Sequence, residues 1–278
     1  MRILVAGGAG QVGAALARRG AARGHAVLAH GRSSLDVTSS TAVDAAVDAS
    51  GADAVINAAA YTAVDRAESE PEAALAVNSG GAANLATACR ARGVPLLHIS
   101  TDYVFDGDKG APYVETDRVH PINVYGETKA AGEVAVRAAC PDATIVRTSW
   151  VFGLEGANFV RTIARLARAR PELRVVADQH GCPTFADDLA DALLDLAVRA
   201  DNPPLLHYCG DGPTTWHGLA EAIVQRLGLG TRVEPIATAE YPTPARRPRS
   251  SVLDTSLIRS LGIVPPSWRT GLEKMLAS

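Results

Sequence analysis

The chain lacks paired cysteines. Cys89, Cys140, Cys182 and Cys209 lie far apart, with no C-x-x-C motif and none of the dense spacing of a disulfide scaffold. That pattern argues against a metal or redox centre and suits the cytoplasm, where thiols stay reduced. Excess basic charge is also missing: the formal net charge of -3 leaves no electrostatic footprint for nucleic acid or an anionic membrane surface. An anionic ligand must therefore be caught by local groups. No uninterrupted apolar run reaches the roughly 18 residues that a membrane-spanning helix needs. The N-terminal "MRILVAGGAGQVGAALARRG" has the basic residue and apolar run of a secretory signal, but four glycines within residues 7 to 13 would weaken its helix, so it is expected to belong to the mature protein.

What is present is apolar mass. A chain of 278 residues that is 47% hydrophobic can bury a large core, as one large domain or two smaller ones. Short apolar runs at 2–6, 25–30, 53–59, 95–100 and 143–149 read as buried strands, separated by Ala-rich helical segments at 11–22, 41–50, 72–92 and 127–139. Strands that alternate with helices and have no polar face predict an α/β fold with a doubly wound parallel sheet, of Rossmann type, covered on both sides. Beyond residue 150 prolines crowd the chain, and helices expected at 158–169, 187–199 and 216–228 are joined by longer loops. The expected division is a dinucleotide-binding core at 1–150 and a smaller loop-rich substrate lobe at 151–278, with some segments returning to the core sheet.

The stretch "GGAGQVG" places Gly7, Gly10 and Gly13 directly after the first strand and at the start of the first helix. Glycine there permits a tight turn, close approach of backbone to a phosphate, and close helix–strand packing, while the helix N-terminus offers free N–H groups to a pyrophosphate. The predicted ligand is a dinucleotide. At the end of the second strand, "AHGRSSLDV" supplies Arg32, Ser33 and Ser34 where a carboxylate would favour NADH, so NADPH is the preferred cofactor and NADH the alternative. Asp36, beyond the serines, is placed for the adenine side.

"NVYGETKAAGE", residues 123 to 133, sets Tyr125 four residues before Lys129, on one face of a helix. A solvated surface pair would look the same. "HISTDYVFDG" argues for chemistry, because a strand there ends in Ser100 and Thr101 at the carboxyl edge, where such sheets place their sites. Hydride delivered to a carbonyl carbon creates an alkoxide that needs a proton donor. A phenol with an ordinary pKa of about 10 is a sluggish donor near neutrality. A neighbouring ammonium is expected to lower that pKa and so to tune the phenol.

The blocks "GGAGQVG", "INAAAYTAVDRAESEPE", "VNSGGAANLA", "STDYVFDG", "NVYGETKAAGE", "RTSWVFG", "DQHGCPT" and "YPTPARRPRSS", in this order through most of the chain, resemble the extended short-chain dehydrogenase/reductase superfamily. Within it they resemble the reductases of dTDP-linked 4-keto-6-deoxy sugars. The resemblance implies reduction of dTDP-6-deoxy-L-lyxo-4-hexulose to dTDP-L-rhamnose; a sister ketoreductase serving another deoxysugar such as dihydrostreptose, or a non-catalytic regulatory subunit, are the competing expectations. It implies Tyr125 as proton donor, with Lys129 and Thr101 as partners and Asn78 in support. Gln11, Val12, Asp36, Val37, Ala60, Tyr61 and Thr62 would line the cofactor, and Thr101, Asp102 and Trp150 would meet the sugar. Asn158, Phe159, Arg246 and Arg247 would hold the nucleotide diphosphate. A monomer or homodimer is expected, but a magnesium-bridged dimer is not, because Ala15 stands where some relatives carry a bridging glutamate.

Overall fold

The apolar runs form β1 (Arg2–Ala6), β2 (Ala26–His30), β3 (Ala54–Asn57), β4 (Leu96–Thr101) and β5 (Thr144–Thr148) in a computed structural model that describes residues 1–277. The chain then passes through the short strands β6 (Val151–Phe152), β7 (Glu172–Val176), β8 (His180–Gly181) and β9 (Thr184–Phe185). It rejoins the sheet as β10 (Leu205–His207) before β11 (Thr214–Thr215) and β12 (Arg232–Ile236). The central sheet has six strands in the order β10-β5-β4-β3-β1-β2, and every pairing is parallel. The strand order runs outward in both directions from the β1–β3 pair, and the crevice at that switch point is where an open α/β sheet takes its ligand.

The helices are α1 (Gln11–Ala22), α2 (Ser40–Ser50), α3 (Val64–Ala67), α4 (Pro71–Leu75), α5 (Ala82–Arg92), α6 (Val124–Ala139), α7 (Phe159–Ala169), α8 (Ala186–Ala197), α9 (Trp216–Arg226), α10 (Ser256–Ser260) and α11 (Trp268–Ala277). Alternate residues of β1 point to opposite faces. Ile3 and Val5 pack with Leu16 of α1 and Leu189 and Leu193 of α8, whereas Leu4 and Ala6 pack with Val43 of α2, Leu85 of α5 and Val136 of α6. Ion pairs Arg18–Asp187, Arg19–Asp191 and Arg23–Asp195 run along the α1–α8 seam. A separate cluster beyond the sheet joins Val160 and Ile163 of α7, Leu219 and Ile223 of α9, and Leu272 of α11.

Two helical segments depart from the sequence expectation in ways that bear on the cleft. The Ala-rich segment at 72–92 is not one helix: a π-helical turn, Ala76–Gly81, separates α4 from α5. A π turn adds a residue per turn and redirects the side chains within it. Here Asn78 is carried inward and is 1% exposed. Helix α6 starts at Val124, three residues before the predicted start, because the Asn123 side chain accepts a hydrogen bond from Gly126 N at 2.8 Å and caps it. Among the described residues no helix is long and apolar enough to cross a membrane, and all four cysteines are free and buried.

Candidate active site

A cleft of about 760 Å³ opens along the carboxyl ends of β1, β3, β4 and β5, lined at one end by Gly7, Gly10, Gln11, Val12, Arg32, Asp36 and Val37. Backbone geometry builds this end. Gly7 has φ +84°, and a Cβ there would lie 2.5 Å from the Ala58 carbonyl carbon. Gly13 lies off the cleft wall, but a Cβ on it would come within 2.2 Å of the Gly7 oxygen, so its bareness is what lets α1 start against the turn. The N-cap of α1, Gly10, offers no side-chain acceptor, which leaves the first N–H groups of the helix to an external anion. The residues present fit a dinucleotide pyrophosphate. Arg32 is exposed on the rim; Ser33 is exposed and off the wall. Asp36 accepts hydrogen bonds from Thr38 N and Thr38 Oγ1 at 3.0 and 2.7 Å, which hold its carboxyl below the usual range.

Ala60, Tyr61 and Thr62 form the wall after β3. Asn78 fixes them without lining the cleft itself: its Oδ1 accepts from Tyr61 N at 2.8 Å, and its Nδ2 donates to Tyr61 O at 3.1 Å and to Thr128 Oγ1 at 3.0 Å. The π turn thus becomes a brace between the wall after β3 and α6.

In the middle of the cleft, Thr101 at the end of β4 meets Tyr125 and Lys129 of α6. The Thr101 hydroxyl is a hydrogen-bonding neighbour that draws the Tyr125 pKa down. Lys129 is 2% exposed and its Nζ donates to Ile99 O at 2.7 Å. The expected lowering of the phenol pKa by Lys129 is not found. Burial pushes Tyr125 up to about 12, Thr101 opposes the rise and Asp102 adds to it. Burial also brings Lys129 down to about 8, opposed by Glu133. Desolvation outweighs the pairing for both groups because the ammonium is turned to a carbonyl rather than to the phenol.

Several residues complete the site that sequence reasoning did not single out. Glu133 lies one helical turn beyond Lys129, and accepts from Ser100 Oγ at 2.6 Å and from Arg147 Nε and Nη2 at 2.8 and 2.6 Å. Its signal was available in the i, i+4, i+8 spacing of Tyr125, Lys129 and Glu133. Tyr103 packs edge-on against Tyr125, with ring centroids 5.9 Å apart. The Tyr103 main chain accounts for the glycine after the tyrosine: a Cβ on Gly126 would lie 2.2 Å from the Tyr103 carbonyl oxygen.

At the far end, Trp150 takes φ +46°, the left-handed region that a bulky residue rarely adopts. Its indole stacks on Trp216 at 3.6 Å with planes 4° apart, and Phe159 tilts onto Trp216 at 4.7 Å. Trp216 had no local signal beyond the start of a predicted helix. Asn158 caps α7 and donates from Nδ2 to Gln11 Oε1 at 3.0 Å, which joins the glycine turn to the lobe. Arg246 and Arg247 do not line the cleft. Arg246 is exposed, while both Nη atoms of Arg247 grip Asp65, with Nη2–Oδ2 at 2.8 Å. Asp102, 2% exposed, lies on the wall beside Thr101. The cleft can therefore hold an anionic dinucleotide at its glycine end and place a ketone between a phenol, a hydroxyl and an aromatic wall.

The family model described as the RmlD substrate binding domain matches residues 1–278. A dTDP-4-dehydrorhamnose reductase of Sinorhizobium fredii is 44% identical over 288 residues, covering 99% of this chain and 97% of the relative. One from Streptomyces griseus is 46% identical over 280 residues, covering 98% and 92%. The crystal structure of a dTDP-4-dehydrorhamnose reductase from Bacillus anthracis in complex with NADP superposes with a TM-score of 0.95 at 36% identity, over 99% of this chain and 98% of that one.

Proposed function

Because the chain belongs to the dTDP-4-dehydrorhamnose reductase family, we propose that it reduces the C4 ketone of dTDP-6-deoxy-L-lyxo-4-hexulose to give dTDP-L-rhamnose. The observation that carries this reading is the meeting of Thr101, Tyr125 and Lys129 midway along one cleft, between the glycine turn and Trp150. NADPH, or NADH in its place, supplies the hydride when bound along Gly7, Gly10, Gln11, Val12, Asp36, Val37 and the loop Ala60–Tyr61–Thr62. Arg32 on the rim favours the 2'-phosphate of NADPH.

The residues divide the remaining work. Tyr125 gives its proton to the alkoxide that forms at C4, and Thr101 donates a hydrogen bond that sets the angle of the oxygen. A phenol whose pKa burial has pushed up to about 12 stays protonated until an alkoxide demands the proton. Lys129, anchored on Ile99 O, brings positive charge beneath the site and holds the cofactor ribose. Residues 1–150 serve the dinucleotide and residues 151–278 mainly the nucleotide sugar, with Trp150 as the sugar wall and Asn158, Phe159, Arg246 and Arg247 toward the diphosphate. Arg247 must exchange Asp65 for phosphate oxygens to take that part, a trade of one bidentate anion for another. Ala15 is fully buried in the core, which supports a monomer or a homodimer without a metal bridge at that position. The enzyme works in the cytoplasm, in keeping with four free thiols.

The test is product analysis. Purified protein incubated with dTDP-6-deoxy-L-lyxo-4-hexulose and NADPH is expected to yield dTDP-L-rhamnose, identified by the configuration at C4. A product epimeric at C4, or turnover only with another dTDP-4-keto sugar, would move the chain to a sister ketoreductase. No NADPH oxidation with any such sugar would remove the enzymatic reading.

A further inference from the structure

The stretch "DQHGCPT", residues 178 to 184, has no task in the transfer of hydride or proton. It is zipped to the strand end that carries Trp150. Ser149 Oγ donates to Cys182 O at 2.6 Å, Thr184 N donates to Trp150 O at 3.2 Å, and β6 pairs with β9. Within the stretch, β8 pairs antiparallel with β11, Gly181 opposite Thr214 and His180 opposite Thr215. One step further along the same register Gln179 meets Trp216, whose Nε1 donates to Gln179 Oε1 at 3.2 Å. Gln179 is itself held, because its Nε2 donates to Thr238 Oγ1 at 3.0 Å.

The outcome is a vice around one ring. Trp216 covers one face of the Trp150 indole at 3.6 Å. A Cβ on Gly181 would lie 2.4 Å from Trp150 Cε2 and 2.6 Å from its ring neighbours Nε1 and Cζ2. The middle one of these three consecutive atoms is the nearest, which puts Gly181 over the ring and not at its rim. Since Trp216 fills the first face, Gly181 backs the second. Protein thus takes both faces of the indole, and the cleft meets its rim. A left-handed backbone at a bulky residue persists only where its surroundings over-determine it, and these contacts do so at Trp150.

Resting on the reading of Trp150 as the sugar wall, we propose that Gly181 and Gln179 are positioning residues for the nucleotide sugar, acting through Trp150. Neither lines the cleft. Gly181 is thin enough for the indole to lie flat on its backbone, and Gln179 anchors the Trp216 ring that presses from the other side. Bulk added at Gly181 has to push the indole, because Trp216 leaves no room beyond it and Phe159 leans on Trp216 at 4.7 Å. The rim then shifts where the sugar must fit.

Gly181→Ala is expected to raise KM for the sugar nucleotide by roughly 5- to 150-fold, with the Kd for NADPH unchanged. Gln179→Met keeps the length of the side chain but takes the acceptor from Trp216, and a rise of about 2- to 10-fold is expected. The chain has three tryptophans, so the indole N–H resonances of isotope-labelled protein report the vice directly. Gly181→Ala moves those of Trp150 and Trp216 and leaves that of Trp268. A double-mutant cycle tests action through Trp150: in Trp150→Ala, which itself raises KM, adding Gly181→Ala brings no further rise. The proposal is overturned if Gly181→Ala leaves KM unchanged, if it raises KM as much in the Trp150→Ala background, or if the Kd for NADPH rises in step. Should Gly181→Ala not fold, Gln179→Met decides, and a wild-type KM there overturns the proposal. A wild-type KM in Trp150→Ala would instead sink the reading of Trp150 as the sugar wall, whatever the resonances do.

Discussion

The two ends of the cleft are built by different means. At the proposed dinucleotide end the main chain makes the surface: a turn at Gly7, an uncapped helix start at Gly10, and a helix packed so tightly that Gly13 has no room for a methyl. At the proposed sugar end side chains make it, and they come from distant parts of the chain. Trp150 follows β5, Trp216 opens α9, and Phe159 opens α7. A main-chain surface can fail by the addition of one atom, whereas a side-chain surface fails by the loss of many. The proposed chemistry sits at the seam between them, on Tyr125.

The largest effect is expected at that seam. Tyr125→Phe removes the transferable proton and keeps the ring that packs on Tyr103, so kcat should fall by ~1,000-fold with little change in NADPH affinity. Parallel titration of cofactor fluorescence and turnover separates the two. A parallel loss of both would mean that the ring shapes the dinucleotide end, and the contrast between ends would collapse.

The next test adds an atom to the main-chain end. Gly13→Ala puts a Cβ 2.2 Å from Gly7 O, and neither backbone can yield cheaply. Overpacking of this kind costs about 1–3 kcal/mol, or ~5- to 150-fold in NADPH affinity if it falls on the bound geometry. Binding of dTDP alone, followed by calorimetry, should be unchanged. Removing atoms from the other end should do the reverse. Trp216→Ala takes away the stack on Trp150, a pairing worth about 0.5–1.5 kcal/mol beyond its buried area, so KM for the sugar nucleotide should rise by up to ~10-fold while the Kd for NADPH holds. A rise in both would show that the stack serves the whole cleft.

The same contrast explains what could be read without coordinates. The sheet, α1 and the glycine turn were legible because each rests on local rules: apolar runs of strand length, a strand–turn–helix order, and glycines where a Cβ would clash. Tyr125 and Lys129 were legible as a pair because helical spacing is local too. Trp216 was not, since its partner Trp150 is far away in sequence and nothing near either residue encodes a stack. The π turn was hidden because alanine favours a helix without specifying its winding, and it took Asn78, bonded to Tyr61 and Thr128, to choose. The rise of the Tyr125 pKa is not legible in the sequence for a related reason: spacing gives proximity to Lys129, but burial and the Lys129–Ile99 bond depend on the assembled sheet.

The smallest effect tests the one polar residue offered as a discriminator at the main-chain end. Arg32 is exposed on the rim and, among the described residues, no hydrogen bond fixes its guanidinium, so it would act on a 2'-phosphate mainly as a screened charge. Exposed charge pairs are weak, so Arg32→Asp should reduce kcat/KM with NADPH by only ~3- to 10-fold, and NADH by less. The gap between the two cofactors should narrow further as salt is raised, because a solvent-exposed interaction is screened beyond about 8 Å at physiological ionic strength. Equal losses for both cofactors, or a gap indifferent to salt, would take Arg32 out of cofactor choice. The dinucleotide end would then discriminate by backbone shape alone.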